Sequence, residues 1–378
     1  MKKTIYFDNA ATTPLDKDVL DSMIPHLTEN FGNASSIHSV GRKAKSAIEM
    51  ARKKVASLLN TSPAEIFFTS GGTEADNAIL KGAIQSKGIK TVITSKVEHH
   101  AVIHPLEALE KEGKIELIFL SLDSKGNPSL TELETLLGQK ENILVSLMHG
   151  NNEIGNILDL HKVGELCSQH NALFHSDTVQ TVAKLPIDLL NTPIDFITGA
   201  AHKFYGPKGV GFMYLKAGSG IKPYIEGGAQ ERNMRGGTEN IAGAVGLATA
   251  LEIAISQQNE RKDYILDLKK YFITAIQNAI PGVQFNGASG DVENSMFHVV
   301  NVCFPAHPDN QMLLFSLDIE GICVSGGSAC SSGTDIGSHV LAQLNIPEEH
   351  ANIRFSFSYK NTKEEIDTVI AALQKILK

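Results

Sequence analysis

The sequence predicts an α/β protein: a large body with a mostly parallel sheet flanked by helices, and a smaller α+β body toward the C-terminus. Three observations predict it. Short β-rich apolar runs alternate with amphipathic stretches of helical length through the first 215 residues, as strands buried between helices require. A long helical pattern then fills residues 241–280, after which the strands are separated and the chain closes on a helix. The unusual polar residues follow directly on the apolar runs, where open α/β sheets bind their ligands.

In order, the strand candidates of the large body are EIFFTS (65–70), TVITS (91–95), IELIFL (115–120), ILVSLMH (143–149), ALFHSD (172–177), FITGA (196–200) and VGFMYL (210–215). Stretches such as EADNAILKGAIQ (74–85) and LHKVGELCSQH (160–170) carry apolar residues at helical spacing between them. The smaller body contributes FHVVNVCF (297–304), ICVSG (322–326), NIRFSFS (352–358) and a last helix at 363–377. The expected division is a large body at 15–255, with residues 1–14 and 256–378 forming the smaller one. No internal repeat or low-complexity tract interrupts the pattern.

The 378 residues carry 34 Lys and Arg against 42 Asp and Glu, a net charge of −8. No cationic block is present to grip a phosphate backbone, which excludes nucleic acid as the main partner. The N-terminal MKKTIYFDNAATTPLD reaches Asp8 and Asn9 before any apolar stretch of signal length, and nothing reads as a membrane span. Cys167, Cys303, Cys323 and Cys330 are far apart and form no CxxC pair, the pattern of reduced thiols in a cytoplasmic protein.

EIFFTS runs into Gly71, Gly72 and Thr73 at the start of a helix, where free backbone N–H groups, the helix dipole and a hydroxyl suit a phosphate. A glycine turn with a Thr cap also starts helices for purely structural reasons. Neither a P-loop nor a GxGxxG fingerprint is present. The strand at 172–177 ends on Asp177, with Gln180 just beyond, and the next ends in Ala200, Ala201, His202 and Lys203. An acid and a lysine on neighbouring strand ends are what pyridoxal-phosphate chemistry needs: the amine forms a Schiff base and the carboxylate keeps the pyridine nitrogen protonated. A buried ion pair is the plainer reading of those two alone.

His99 and His100 follow another strand end, where an imidazole can stack on an aromatic ring and move protons near neutral pH. His100 and His104, four apart on a helix, could hold a metal, but no third ligand is spaced to join them, and no metal is expected. Asn151 follows the 143–149 run and can donate to a cofactor or a carboxylate. Arg354 is the one cation inside a strand of the smaller body, and a guanidinium is the usual partner of an α-carboxylate. Cys330 lies in VSGGSACSSGTD, whose Gly and Ser content predicts a mobile, exposed loop able to carry a nucleophilic thiol.

YFDNAATTP, FGNASSIH, FTSGGTEADN, EHHAV, NNEIG, SDTVQ, HKFYGPKG, MRGGTEN, SGGSACSSG and RFSFS, in this order, resemble the cysteine desulfurases of the class V aminotransferase group, fold type I pyridoxal-phosphate enzymes. The resemblance covers essentially the whole chain. It implies that Lys203 holds pyridoxal 5′-phosphate, Asp177 pairs with its ring nitrogen, Gln180 bonds its phenolate oxygen and His99 stacks on its ring. Gly72, Thr73 and His202 would hold the phosphate, with Thr238 reaching across a homodimer interface, and Asn33, Asn151 and Arg354 would hold the substrate carboxylate. L-cysteine would become L-alanine while Cys330 keeps the sulfur as a persulfide for an acceptor protein of iron–sulfur cluster assembly or tRNA thiolation. Ala200 stands where the family usually has a phosphate-binding Ser, and Thr178 where a small Ala is usual. The chain ends at Lys378, without the extension that longer members use to bind a scaffold. An aminotransferase or a selenocysteine lyase would keep Lys203 and Asp177, and a degenerate binding module would keep the fold; Cys330 speaks against the first, and the full set against the last.

Overall fold

The computed structural model describes residues 4–326, 337–347 and 349–378. Cys330 lies outside the described residues. In chain order the elements are β1 (Ile5–Tyr6), α1 (Lys17–Thr28), α2 (Ser39–Leu58), β2 (Ile66–Thr69), α3 (Gly72–Lys87), β3 (Thr91–Thr94), α4 (His100–Lys111), β4 (Glu116–Phe119), α5 (Leu130–Gln139), β5 (Ile143–Ser146), α6 (Leu160–Gln169), β6 (Leu173–Asp177), β7 (Phe196–Ala200) and β8 (Gly211–Leu215). There follow α7 (Ile241–Ser256), α8 (Gln258–Ala279), β9 (Gln284–Phe285), β10 (Val299–Phe304), α9 (Leu313–Ile319), β11 (Ile322–Cys323), β12 (Ala351–Ser356) and α10 (Lys363–Ile376). Among the described residues no helix is long and apolar enough to cross a membrane.

Seven strands form one sheet in the order β2-β8-β7-β6-β5-β3-β4. All neighbours are parallel except β8, which is antiparallel to both β7 and β2. The two reversals cancel, so β2 runs with β7 and its glycine turn arrives at the same sheet edge as the other strand ends. β2, β3, β5, β7 and β8 are buried along their whole length, as strands covered on both faces must be. One face packs Ile48, Val55, Phe68, Phe212 and Leu247; the other packs Ile79, Val92, Val102, Leu106 and Phe196. The long helical pattern at 241–280 is two helices, interrupted at Gln257, whose N–H still bonds Ile253 O.

A separate antiparallel sheet, β12-β10-β9, packs under α8 and α10, with Phe272, Phe304, Phe355 and Phe357 at its core. The first residues of the chain belong to this core through Ile5 and Phe7, and β1 pairs with β11. From there residues 8–13 cross to the large sheet as a strap. Asn9 is buried and donates to Ser356 O at 2.9 Å, and the N–H of Ala10 donates to Ser356 Oγ at 2.9 Å. At the far end Thr13 donates its hydroxyl to His202 O at 2.9 Å and accepts the N–H of Tyr205 at 2.7 Å. Truncating the buried amide in Asn9→Ala leaves the Ser356 carbonyl only the longer bond from the Asn9 N–H at 3.3 Å, so urea unfolding is expected to show a loss of about 1 kcal/mol. An unchanged midpoint would mean that the strap carries no stability.

Candidate active site

The carboxyl ends of the parallel strands, the β2–α3 turn and the strap enclose a cavity of about 200 Å³. Nine residues singled out in the sequence line it: Gly72, Thr73, His99, Asp177, Gln180, Ala200, His202, Lys203 and Arg354. Each arrives there for a local reason. Asp177 is the last residue of β6, in register with Thr198, and its Oδ1 accepts the N–H of Val179 at 2.9 Å and faces the Thr198 hydroxyl at 3.5 Å. Burial, and then the carboxyl of Asp76, push Asp177 above the usual carboxylate range, while the His99 imidazole pulls it back.

Lys203 ends the short turn that follows β7. Its Nζ donates to the carbonyls of Ala10 at 2.6 Å and Ala11 at 2.8 Å, both on the strap. Its own carbonyl accepts from Lys184 Nζ at 3.0 Å, and burial followed by the Lys203 charge brings Lys184 down to about 7. Two residues on, Tyr205 adopts a left-handed backbone (φ 66), a strain of roughly 1–3 kcal/mol for a residue with a side chain. Its N–H bond to Thr13 and its edge-on contact with the Tyr359 ring at 4.8 Å hold it there.

His99 caps α4, its Nδ1 accepting the N–H of Ala101 at 3.1 Å, which leaves Nε2 to carry the ring proton. Burial pushes this imidazole down; Asp177 opposes the shift and Lys203 adds to it. His202 is brought down to about 4, by burial first and Lys203 second, so at neutral pH it is a hydrogen-bonding group and not a cation. Its Nδ1 lies 3.2 Å from the Thr12 hydroxyl. Gln180 donates to Ala10 O at 2.9 Å. α3 starts at Gly72 with no side chain capping its first N–H groups, and a Cβ at Gly72 would lie 2.8 Å from Val179 Cγ2, so only glycine fits the turn without displacing its neighbour.

Arg354 comes from β12 on the other sheet. Nη2 donates to Asp8 Oδ1 at 2.7 Å and Nη1 to Asn152 O at 3.1 Å, while the buried Nε has no hydrogen-bond partner among the described residues. A guanidinium so buried and not fully bonded suits an incoming carboxylate.

The other predicted residues are placed elsewhere. Asn151 is buried behind the cavity with its amide engaged by Val97 O at 2.9 Å and by the N–H groups of Glu153 and Ile154 at 2.8 and 3.1 Å; Asn152 lines the cavity instead. Asn33 is exposed and accepts the N–H of Ser35 at 2.8 Å. Thr238 is exposed beside Ser70 and Arg235, outside the cavity. His100 stacks on His104 at 4.4 Å and lies tilted against His339 at 4.2 Å, and among the described residues no three His, Cys, Asp or Glu are placed to hold a metal ion. Thr178, in the family's Ala position, turns its hydroxyl to Thr198 O at 2.6 Å.

Sequence reading missed Asp8, Lys184 and Asp76. Asp76 carried a usable signal, since it is an acid within the buried face that α3 forms with Ala75, Ile79 and Leu80. It lines the cavity, burial pushes it up to about 7, and its Oδ1 is 3.4 Å from Nε2 of the buried His175.

Fold and site together define the class: an α/β enzyme whose cavity, at the carboxyl edge of its sheet, brings together a lysine amine, a buried acid and a guanidinium. The family model for the class-V aminotransferases matches residues 5–369, and the chain belongs to that family. It is 43% identical to the cysteine desulfurase IscS of Dictyoglomus turgidum over all of this chain and 95% of that one. With the cysteine desulfurase IscS of Methanosarcina thermophila the identity is 41%, over 99% and 92%. A solved NifS-like protein superposes with a TM-score of 0.91 at 36% identity, covering 99% of each chain, and SspA in complex with cysteine with 0.81 at 32%, covering 95% of this chain and all of that one.

The folded protein keeps the Asp76 proton up to about pH 7, whereas the unfolded carboxyl has lost it well below that. Asp76 therefore contributes less stability as pH rises through 7. Asp76→Asn removes this dependence, so its stability relative to wild type is expected to rise by about 1 kcal/mol between pH 6 and pH 8 in urea titrations of the ligand-free protein. A difference that stays flat would place the Asp76 ionisation outside that window.

Proposed function

We propose that this chain is a cytoplasmic, pyridoxal-phosphate-dependent cysteine desulfurase that converts L-cysteine to L-alanine and keeps the sulfur as a persulfide on Cys330. The observation that carries the reading is the convergence of the Lys203 amine, the Asp177 carboxyl, the His99 ring and the Arg354 guanidinium on one cavity. Desulfurase names on relatives matched over 95% and 92% of their length support it. The residues present fit the cofactor: a glycine-only turn with uncapped N–H groups for a phosphate, and a buried acid opposite a lysine amine.

Bound there, pyridoxal phosphate supplies an electron sink for the charge left when an amino acid loses its Cα proton. Asp177 would hold the proton on the ring nitrogen, His99 would lie against the ring and Gln180 would bond the phenolate oxygen. Gly72, Thr73 and neutral His202 would take the phosphate, completed in a homodimer by the partner's copy of Thr238. Arg354 would receive the substrate carboxylate through its guanidinium, and Asn33, exposed outside the cavity, would have to move to join it; Asn151 would act by fixing the loop whose Asn152 carbonyl orients that guanidinium.

Lys203 would take the Cα proton and return a proton to carbon. The Cys330 thiolate would attack the substrate sulfur: the S–S bond forms, the carbon–sulfur bond breaks with its electron pair going to carbon, and alanine leaves once that carbon is protonated. The persulfide would then pass to an acceptor protein of iron–sulfur cluster assembly or tRNA thiolation.

Incubation with L-cysteine and a reductant tests this directly. Wild type is expected to release alanine and sulfide in equal amounts, Lys203→Ala neither, and Cys330→Ala almost no sulfide while its visible spectrum still responds to cysteine. Sulfide release from Cys330→Ala at the wild-type rate would remove the thiol from the mechanism. Arg354→Met is expected to raise KM at least about tenfold, the weight of one charge-assisted pair. An unchanged KM would send the carboxylate elsewhere.

A further inference from the structure

Beside the Ser70–Thr73 turn, three consecutive residues that are not glycine, Glu231, Arg232 and Asn233, have left-handed backbones with φ of 43, 55 and 65. Such a run persists only where its surroundings over-determine it. Ion pairs on either side do so. Glu231 is buried, and its two oxygens take Nη1 and Nη2 of Arg52 at 2.7 and 2.8 Å. Its Oε2 also accepts the N–H of Phe68 at 2.8 Å, and Arg52 Nη1 donates to Ile66 O at 2.8 Å, so both partners bond the β2 strand that runs into the turn.

Four residues after Glu231, Arg235 makes two parallel bonds to Glu74, Nε to Oε1 at 2.9 Å and Nη2 to Oε2 at 3.1 Å. Glu74 stands in the first turn of α3, and its Oε2 accepts the N–H of Ser70 at 3.0 Å. One short segment thus holds the anion-binding turn at both ends, through the strand that enters it and through the helix that leaves it. Neither Glu231 nor Arg235 lines the cavity.

We propose that Glu231 and Arg235 are positioning residues for the Ser70–Thr73 turn, fixing through Phe68 and Glu74 the backbone N–H groups that bind a phosphorylated ligand. The inference rests on the reading of that turn as the phosphate cradle of a pyridoxal-phosphate site. Backbone donors cannot re-aim as a flexible side chain can, so their affinity for a phosphate depends on how firmly the turn is held.

The test compares the dissociation constants of pyridoxal and pyridoxal 5′-phosphate for the cofactor-free protein, because the pyridoxal constant divided by the pyridoxal-phosphate constant isolates the phosphate. Arg235→Met and Glu74→Gln break the partly buried pair, and Arg52→Met with Glu231→Gln removes both buried charges together. Each is expected to lower the ratio about tenfold while pyridoxal affinity stays within about twofold, and Arg235→Lys, which keeps one bond, is expected to fall between. Wild type binding both probes equally would overturn the phosphate reading itself. A discriminating wild type whose variants keep the full ratio, or lose both probes in parallel, would overturn the positioning role.

Discussion

The two strap carbonyls that hold the Lys203 amine fix the site more than any other contact. A lysine side chain left alone loses roughly 2 kcal/mol of rotamer freedom on being fixed, so its amine has no defined position without anchors. Here the anchors are Ala10 O and Ala11 O, at 2.6 and 2.8 Å. They are backbone atoms, placed only because the strap is bonded to Ser356 at one end and to His202 and Tyr205 at the other. The chemistry of a residue on the large sheet therefore depends on the assembly of both sheets.

Charge is distributed to match. Asp177 and Asp76 form a buried acidic floor with Glu98 close by, each raised first by burial, so ionising a carboxyl there is costly until a cationic ligand group, such as a protonated ring nitrogen, pairs with it. Lys203 and Arg354 reach the same cavity, and the uncapped start of α3 presents N–H groups at its side. A ligand with a basic ring nitrogen and two anionic groups fits that division. His99 and His202 sit between, both lowered by burial and so neutral, which keeps the cavity from filling with positive charge.

Much of this was legible in the sequence, because strand ends are. Asp177 and Lys203 each follow an apolar run at the edge where a parallel sheet presents its ligand, and the glycines after β2 announce a turn against a helix start. Arg354 was legible as the one cation within a strand of the smaller body. The reversal at β8 was not, since an antiparallel strand buried on both faces reads like its parallel neighbours. Nor were the carbonyls of Ala10 and Ala11, because a backbone acceptor leaves no mark on residue type. Asn151 shows the opposite limit: its amide is engaged by its own loop, an ordinary role for Asn that residue type cannot distinguish from ligand binding.

The amine held by the strap is the one assigned the chemistry, although Lys184, also half-buried and brought down to about 7, lies beside it. Reducing the protein with borohydride in the presence of pyridoxal phosphate and mapping the modified peptide by mass spectrometry separates the two. The covalent label is expected on Lys203. A label on Lys184, or no label at all, would contradict it.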